Sequence, residues 1–464
     1  MLNNRKFLSG YAETKFIESY IEYPRDLSEI KSILSLCLNR NLTACFKGAG
    51  LSYADLITNN NNVVIDLRNL NKIISWNPIN GEVIVEGGVT FAQILSKTLK
   101  DNWTLTSCPG SFDITIGGAI SNNVHGKDSY VNGNFGEQVI EIGLMLADGK
   151  IITLNKTQNR ELFNGVIGGL GLLGLITYAK LKLKKIPSPF VLSKTHVSKN
   201  IHEIIDKIEL LKNNNEFIVS WIDAFSKNAS IGRGFINTAN WVESSDLKDD
   251  IFNRSLVKSN KVFGLFPSHL TWKILKPFFN STNVKKYNTL LYNYQNLKSK
   301  ILPNEKKELF TIYNFIHNKL PDLKEVYKPH GFLEFQPLLP FENIRQNLKK
   351  ILKLCQSFSS ESLLAGLKVH KSDETLLSYQ LDGYSIGIDL DVKSRKKEDL
   401  KSFSKDLFDL TSDCGGKIYL AKDEYLDCKY FNIMYPSLKK FLKMKKTYDP
   451  DNLFSSDIFV RLFK

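Results

Sequence analysis

Residues 109–126, PGSFDITIGGAISNNVHG, combine a proline–glycine turn, a glycine pair, small side chains and one histidine. Glycine has no Cβ, so a segment with so few bulky side chains lets the backbone approach a ligand closely. The alternative is a glycine-rich surface loop. A second segment of the same character, KGAGLSYAD at 47–55, lies between two strand-like runs and favours the ligand interpretation.

The segment KGAGLSYAD has the composition of an anion cradle. Gly48 and Gly50 would let successive backbone N–H groups converge on a phosphate, and Ser52 would add a hydroxyl. The Walker A pattern is absent, and no G-x-G-x-x-G follows the first predicted strand. P-loop phosphoryl transfer and nicotinamide binding therefore lose their usual sequence support.

Bulk composition sets the class of protein. A chain of 464 residues predicts two or three domains, and 42% apolar with 24% charged residues is typical of a globular protein. The net charge of +14 favours an anionic partner: a phosphorylated ligand, an acidic membrane surface or a nucleic acid. A compositional bias towards lysine is the alternative. No nucleic-acid-binding module is recognisable, so we expect no nucleic acid partner.

Several features bear on metal binding and location. The six cysteines form no C-x-x-C pair and have no histidine at zinc spacing, so we expect no metal site. The N-terminus lacks the apolar core of a secretory signal, which predicts a reducing, cytoplasmic compartment. Residues 162–179 carry no charge but contain five glycines, and we interpret them as buried backbone near a ligand rather than a membrane span.

The elements that would position these segments alternate between helices and strands over the first 190 residues. Asp26 or Ser28 can cap a helix within 26–41, and Thr90 can cap another within 90–101. Beyond 195 the chain returns to strands and helices, then enters a lysine-rich aromatic region at 265–328. There, 272–280, 284–302 and 306–320 have helical spacing.

The order of these motifs resembles the FAD-binding half of the vanillyl-alcohol oxidase / p-cresol methylhydroxylase flavoprotein superfamily. The motifs are a Y-P-x-D helix, G-x-G-x-S-Y, V-I-V-E-G-G-V, P-G-x-x-x-x-T-I-G-G-A-I-x-x-x-x-H-G-K and G-G-x-G-x-x-G. HGKDSYVNGNFGEQV, GFLEFQ and YLAKDEYLD, followed by MYP and DPDNLFSSD, resemble in particular the decaprenylphosphoryl-β-D-ribose 2′-oxidase branch. The resemblance spans nearly the whole chain and is weak only from about 240 to 328.

The resemblance implies an α+β fold. A two-subdomain FAD-binding domain would comprise residues 1–192 and a returning C-terminal segment, 411–464. Residues 193–410, which include the basic aromatic region, would form a substrate domain with an antiparallel sheet flanked by helices.

FAD is the cofactor that the resemblance implies, bound noncovalently. Covalent attachment through His125, as in many members of the superfamily, is the alternative. The implied pyrophosphate contacts are Gly48, Ala49, Gly50, Leu51, Ser52 and Tyr53. The implied flavin contacts are Gly110, Thr115, Gly117, Gly118, Asn122 and His125, and further contacts are Ile176 and Tyr419.

Lys422 in Y-x-A-K-D matches the lysine that lies beside the flavin and the sugar hydroxyl in the family, so the resemblance implies that it is catalytic. A cation or tuned base there would stabilise the alkoxide that develops as hydride leaves the carbinol carbon. The implied substrate residues are Gln336, Lys368, Glu334 and Trp221. Two positions depart from the pattern: Glu334 replaces a glutamine, and Gly387 replaces a cysteine.

The implied reaction oxidises a secondary hydroxyl of a lipid-linked sugar to a keto sugar, with the 2′-hydroxyl of a polyprenylphosphoryl pentose as the expected group. It would be the first half of an epimerisation in cell-envelope biosynthesis, with a separate keto-sugar reductase as partner and a quinone-type electron acceptor. Alternatives are an FAD-dependent oxidase of a soluble alditol or sugar lactone, and a flavin-binding scaffold without catalysis.

The basic aromatic region allows two interpretations. Lysines among aromatic residues could dock on anionic lipid, which predicts peripheral contact with the inner face of the membrane. Alternatively, the aromatic residues form a helix core below a solvated lysine face.

Overall fold

The computed structural model describes residues 4–243, 255–257, 260–262, 264–393 and 395–464. Its helices and strands form the predicted α+β fold, in which two smaller sheets near the N-terminus precede one large antiparallel sheet. The predicted fold class is therefore confirmed.

The first sheet is four-stranded, in the order β1-β2-β4-β3. Its strands are β1 (Arg5–Leu8), β2 (Ile17–Glu22), β3 (Ala44–Lys47) and β4 (Val63–Asp66). The helix Leu27–Asn39 connects β2 to β3, and its predicted cap is confirmed because Asp26 accepts a hydrogen bond from the N–H of Glu29 at 2.9 Å. This sheet holds the loop that follows β3 in place.

The second sheet is antiparallel, in the order β5-β6-β10-β8-β9, and a two-stranded ribbon of β7 and β11 lies beside it. The strands are β5 (Ile73–Asn77), β6 (Glu82–Glu86), β7 (Trp103–Thr104), β8 (Val139–Met145), β9 (Ile151–Asn155), β10 (Leu175–Lys182) and β11 (Lys184–Lys185). The helix Phe91–Thr98 begins with a full capping box from Thr90 and Gln93, as the sequence predicts for Thr90.

Residues 162–179, the uncharged glycine-containing segment, divide between the end of the helix Arg160–Val166, an irregular stretch and the start of β10. Within the described residues, no helix combines the length and the apolar character needed to cross a membrane.

The large sheet has nine antiparallel strands in the order β17-β12-β14-β13-β20-β21-β19-β22, with β18 also paired to β21. Its strands are β12 (Phe190–Ser198), β13 (Phe217–Ile222), β14 (Gly234–Val242), β17 (Glu305–Leu309), β18 (Phe332–Phe335), β19 (Pro337–Pro340), β20 (Ala365–His370), β21 (Gly383–Asp391) and β22 (Lys417–Ile418). The helices Ile201–Leu211, Ile344–Ser357 and Lys397–Asp413 bury apolar faces in its core.

The basic aromatic region is partly helical, as predicted. Its helices are Ser268–Leu275, Ser281–Ile301, Phe310–Asn314 and Ile316–Lys319, and a short ribbon of β15 (Lys261–Val262) and β16 (Phe266–Pro267) precedes them. The helix predicted over 306–320 is wrong at its start, where β17 pairs with β12. Exposed charged side chains on this edge strand suit an unpaired sheet edge, which the helical periodicity did not reveal.

The C-terminal residues return to the first sheet. The N–H of Ala44 donates to Leu453 O at 2.7 Å, and the N–H of Ser455 donates to Ala44 O at 3.0 Å. The short helices here are Cys428–Met434, Leu438–Tyr448 and Asp457–Phe463, and two further short helices, Ile116–Ser121 and Ser129–Asn132, lie before β8. Because β22 belongs to the large sheet, the C-terminal segment contacts both parts of the molecule, and the predicted domain boundaries stay predictions.

Candidate functional site

A cavity of about 490 Å³ lies where the three sheets meet. Its walls come from the loop 48–53 after β3, the segments 109–125, 170–176 and 317–324, and the turn after β22. All the predicted cofactor residues line it: Gly48, Ala49, Gly50, Leu51, Ser52, Tyr53, Gly110, Thr115, Gly117, Gly118, Asn122, His125, Ile176 and Tyr419. The structure thus brings both glycine-containing segments to one cavity, and their roles in binding stay predictions.

The loop 48–53 crosses one end of the cavity. Gly50 has a φ of +75°, a conformation that favours glycine, and a Cβ at Gly48 would lie 2.1 Å from the Thr115 Oγ1. Within the described residues, the backbone N–H groups of 49–52 donate no hydrogen bond to another main-chain group. Four consecutive donors are therefore available to an anion.

The segment 109–126 has small residues because other backbone lies against it. The Gly117 N–H donates to Gly87 O at 2.7 Å, and a Cβ at Gly117 would lie 3.0 Å from that oxygen. A Cβ at Gly110 would lie 2.3 Å from the His317 Cδ2. The glycines therefore pack this segment between strand β6 and a helix of the basic aromatic region.

A set of hydrogen bonds joins residues 108–113 to residues 314–318 beside the cavity. Asn314 Nδ2 donates to Cys108 O at 3.1 Å, and the His317 N–H donates to Gly110 O at 3.0 Å. The Phe112 N–H donates to Asn318 Oδ1 at 3.1 Å. The cavity wall formed by 317–324 is thereby attached to the glycine segment.

Lys422 belongs to a buried charged group on the cavity wall. It lies in the turn after β22, which is held by the Tyr419 N–H donating to Gln336 O at 3.1 Å. The Lys422 ammonium forms an ion pair with Glu334 and lies 5.0 Å from the centre of the Tyr53 ring. Glu334 is 7% exposed, so the ion pair is largely shielded from water.

Asp389 completes this charged group from the neighbouring strand. Glu334 on β18 and Asp389 on β21 are directly paired across the sheet. The Asp389 Oδ1 is shielded from solvent and has no donor within the described residues. Burial, and next the charge of Glu334, raise the pKa of Asp389 well above its usual range. Two buried carboxyl groups therefore lie side by side, and Lys422 pairs with the one of Glu334.

His125 is buried with both ring nitrogens engaged. Its Nδ1 lies 3.4 Å from the Lys368 Nζ, and its Nε2 lies 2.9 Å from the Gln336 side-chain amide. Burial lowers the pKa of His125 well below its usual range, and Lys368, His370 and Lys422 lower it further. The Gln336 atom in this contact is the amide nitrogen, so each ring nitrogen of His125 lies against a nitrogen of a neighbouring side chain.

Lys368 is the second lysine of the cavity wall and lies on β20. Burial, followed by the charge of Lys422, lowers the pKa of Lys368 to about 8. On the same strand, His370 donates or accepts a hydrogen bond with Ser385 Oγ at 2.7 Å, and burial lowers its pKa to about 3. The wall therefore combines two lysines with neutral histidines.

The predicted substrate residues occupy different positions. Lys368 lines the cavity, whereas Glu334 and Gln336 lie directly behind it and contact Lys422 and His125. Trp221 is not among the lining residues: its ring stacks on Phe235 with centroids 5.0 Å apart. Gly387 lies beside Glu334, and a Cβ there would lie 3.1 Å from Glu334 Oε1.

Sequence reasoning missed several wall residues. His317, Asn318, Asp322 and Lys324 line the cavity but come from the stretch where the family resemblance is weak. Asp389 was missed because only the strand register brings it to Glu334. No motif marks these residues, and alternation along β21 is the only sequence signal that could have placed Asp389 beside the site.

The buried histidines predict acid sensitivity. A histidine whose pKa is lower in the folded state than in the unfolded state binds its proton preferentially on unfolding, so stability falls as pH falls below about 6.5, by about 1.4 kcal/mol per unit. We expect the free energy of unfolding of His370→Gln to fall by about 1–2 kcal/mol less than that of the wild type between pH 6.5 and 5. Glutamine can keep the contact with Ser385, and urea unfolding of the apoprotein measures the difference.

Asp128 and Asp389 act in the opposite direction, because burial raises their pKa values, so the test is the difference between variant and wild type. The exposed His269 provides the control, since His269→Gln is expected to leave the pH dependence unchanged. Equal slopes for wild type and His370→Gln would contradict the prediction.

Comparison with known proteins places these features in a family. A family model described as an FAD binding domain matches residues 19–155, and one described as D-arabinono-1,4-lactone oxidase matches residues 332–462. Decaprenylphosphoryl-beta-D-ribose oxidase of Mycolicibacterium smegmatis is 27% identical over 90% of this chain and 88% of its own length. L-gulonolactone oxidase of Mus musculus is 22% identical over 95% of this chain and 94% of its own length. A putative D-arabinono-1,4-lactone oxidase of Neurospora crassa is 29% identical over 51% of this chain and 40% of its own length.

The fold, the cavity and these matches define an FAD-dependent oxidoreductase that acts on CH–OH groups. Over most of its length the chain is similar to FAD-dependent oxidases of sugars and sugar lactones.

The cavity residues fit FAD. Phe46, Leu56, Leu170 and Ile176 supply apolar walls for flat rings, and the free N–H groups of 49–52 suit a pyrophosphate. The Asn122 Oδ1 is buried without a hydrogen-bond partner among the described residues, which leaves an acceptor for a cofactor N–H group.

Proposed function

We propose that the protein oxidises a secondary hydroxyl of a lipid-linked sugar, the 2′-hydroxyl of a polyprenylphosphoryl pentose, to a keto sugar. The observation that supports this most is the Lys422–Glu334 ion pair on the same cavity wall as Lys368. The pair offers a proton acceptor, and Lys368 offers a cation for the phosphate. FAD, when bound, supplies the hydride acceptor at N5.

Lys422 and Glu334 act together on the hydroxyl. Oxidation of a secondary alcohol removes a hydride from carbon and a proton from oxygen. The Lys422 ammonium hydrogen-bonds to the hydroxyl oxygen and stabilises the negative charge that develops there. Lys422 gives one ammonium proton to the Glu334 carboxylate behind it and takes the hydroxyl proton in its place. Tyr53 and Ala421 shape the wall beside this group.

We propose that FAD is bound noncovalently. Both nitrogens of His125 already have protein partners, Lys368 and Gln336, and the low pKa keeps the ring neutral in its buried position. The visible spectrum of the holoprotein after acid precipitation tests this: yellow colour is expected in the supernatant, and colour that stays with the pellet would mean a covalent bond at His125.

Lys368 gives substrate binding a pH dependence. The pKa of Lys368 is about 8, so its ammonium is lost as pH rises through that value and the attraction for phosphate is lost with it. We expect the Kd of the sugar phosphate, titrated anaerobically by the flavin spectrum, to rise by up to about 10-fold between pH 7 and 9.5. Lys368→Arg should remove the dependence because guanidinium stays charged. An unchanged pH profile in Lys368→Arg would assign the phosphate contact elsewhere.

A soluble alditol or sugar lactone is the second candidate substrate. The match of residues 332–462 to a lactone oxidase model supports it. The experiment that separates the two candidates is anaerobic bleaching of the flavin. Bleaching by a polyprenylphosphoryl pentose but not by free alditols or aldonolactones supports the first proposal, and the reverse pattern supports the second.

The oxidation is, in this proposal, the first half of an epimerisation at the cytoplasmic face of the membrane. The sequence has no nicotinamide-binding fingerprint, so a separate keto-sugar reductase would complete it. A quinone-type acceptor would reoxidise the flavin. Turnover that is faster with a soluble quinone than with dissolved oxygen is the expected result, and equal rates would favour an oxidase.

A further inference from the structure

The helix Ser281–Ile301 presents an apolar stripe to solvent. Spacings of three and four residues place its members on one helical face, and each is between 59% and 69% exposed. This stripe comprises Tyr287, Leu290, Tyr294, Leu297 and Ile301. The interpretation that these aromatic residues form a helix core is therefore wrong for the stripe.

The neighbouring helix and the turns around it extend the apolar surface. Its exposed members are Leu265, Phe266, Leu270, Ile274, Leu275 and Phe278. Together with the stripe they form what we call the 265–301 surface. Groups of exposed apolar side chains mark binding sites more often than single exposed ones do.

The opposite side of the helix Ser268–Leu275 is attached to the cavity wall. Trp272 Nε1 donates to Pro321 O at 2.5 Å, and Ser268 Oγ donates to Asp322 Oδ2 at 2.9 Å. Pro321 and Asp322 both line the cavity. The part of the 265–301 surface that this helix carries is therefore the outer side of the wall whose inner side lines the cavity.

The charge of this segment is entirely positive. Between residues 264 and 304 the sequence has six lysines and neither aspartate nor glutamate. Lys273, Lys285, Lys286 and Lys300 are exposed next to the apolar side chains. An apolar face bordered by lysines complements an anionic lipid surface, where aromatic rings lie at the headgroups and lysines contact phosphates. Two copies of the same surface would instead bring like charges together.

We propose that the 265–301 surface docks this protein on an anionic lipid bilayer, with the cavity wall held at the membrane. The lipid tail of the substrate would then stay in the bilayer while its sugar phosphate enters the cavity. This second step rests on the proposed function, whereas the docking itself does not.

Co-sedimentation of the holoenzyme with vesicles tests the docking without any substrate. We expect at least about 10-fold more protein bound to phosphatidylcholine vesicles containing about one third phosphatidylglycerol than to pure phosphatidylcholine. The double variant Leu290→Ser/Leu297→Ser and the charge reversal Lys285→Glu/Lys286→Glu should each lower the bound fraction by about 10-fold or more.

Leu210→Ser is the matched control, because Leu210 is an equally exposed leucine on another helix. It should bind vesicles like the wild type, and retained FAD in every variant reports an intact fold. Equal binding of Leu290→Ser/Leu297→Ser and wild type would overturn the proposal. So would a sedimentation-velocity shift from dimer to monomer in that variant, since the surface would then join two copies. If vesicles bind but polyprenylphosphoryl pentose does not bleach the flavin, the docking stands and the proposed function fails.

Discussion

Replacing Lys422 by methionine is expected to slow anaerobic reduction of the flavin by the substrate by at least about 100-fold while FAD stays bound. Methionine has a similar length and no charge, so the hydroxyl oxygen loses the cation that stabilises it as the C–H bond breaks. Glu334 also loses its counterion in a buried position, which breaks the proposed proton-accepting pair. Stopped-flow absorbance of the flavin measures the rate.

Glu334→Gln separates the contributions of the ion pair. It keeps the shape of the side chain, leaves Lys422 charged, and is expected to slow flavin reduction on its own. Residues that act as a unit give non-additive losses, so the double variant should be about as slow as Lys422→Met alone. Losses that multiply, or a Lys422→Met enzyme that reduces at the normal rate, would contradict the proposed pair.

Ala49→Glu is expected to weaken FAD binding by about 100-fold. Ala49 lies in the loop 48–53 with a free N–H group and a cavity-facing position. A carboxylate placed about 4–5 Å from a phosphate charge costs on the order of 3 kcal/mol at an effective dielectric constant near 20. Isothermal titration of the apoprotein with FAD measures the change in Kd.

Ala49→Gln is the control for this charge effect, since it adds almost the same volume without a charge. We expect it to bind FAD within about 5-fold of the wild type, because it places no charge beside the phosphates. The Glu and Gln side chains have nearly the same volume, so the difference between the two variants reports the Coulomb energy. Equal losses in Ala49→Glu and Ala49→Gln would show that steric filling, and not phosphate repulsion, governs the loop. Far-ultraviolet circular dichroism of both apoproteins checks the fold.

The sequence predicted the cofactor side of the cavity well because its signals are local. Glycine clusters are visible in the sequence itself, and capping residues such as Asp26 and Thr90 act within one helical turn. The resemblance supplied Lys422 and Lys368, which a composition rich in lysine would not have distinguished.

The substrate side was predicted less completely because its contacts depend on register and long-range packing. Asp389 meets Glu334 only through the pairing of β18 with β21, and His317 reaches Gly110 from a distant helix. Trp221 was expected at the substrate, yet strand β13 directs its ring onto Phe235. The helix was predicted to begin at residue 306, but the residues at its start form the edge strand β17, which pairs with β12.

The hydrogen bonds between residues 108–113 and 314–318 make cofactor binding and order in the basic aromatic region mutually dependent. When FAD binding fixes the glycine segment, the hydrogen bonds transmit part of that stabilisation to the wall formed by 317–324. Coupling is reciprocal, so a ligand that orders the wall raises the affinity for FAD by the same factor as FAD raises the affinity for that ligand. The outer surface of the same wall carries the helix Ser268–Leu275 with its exposed apolar side chains. A lipid surface and a flavin would therefore be thermodynamically coupled ligands of one protein element.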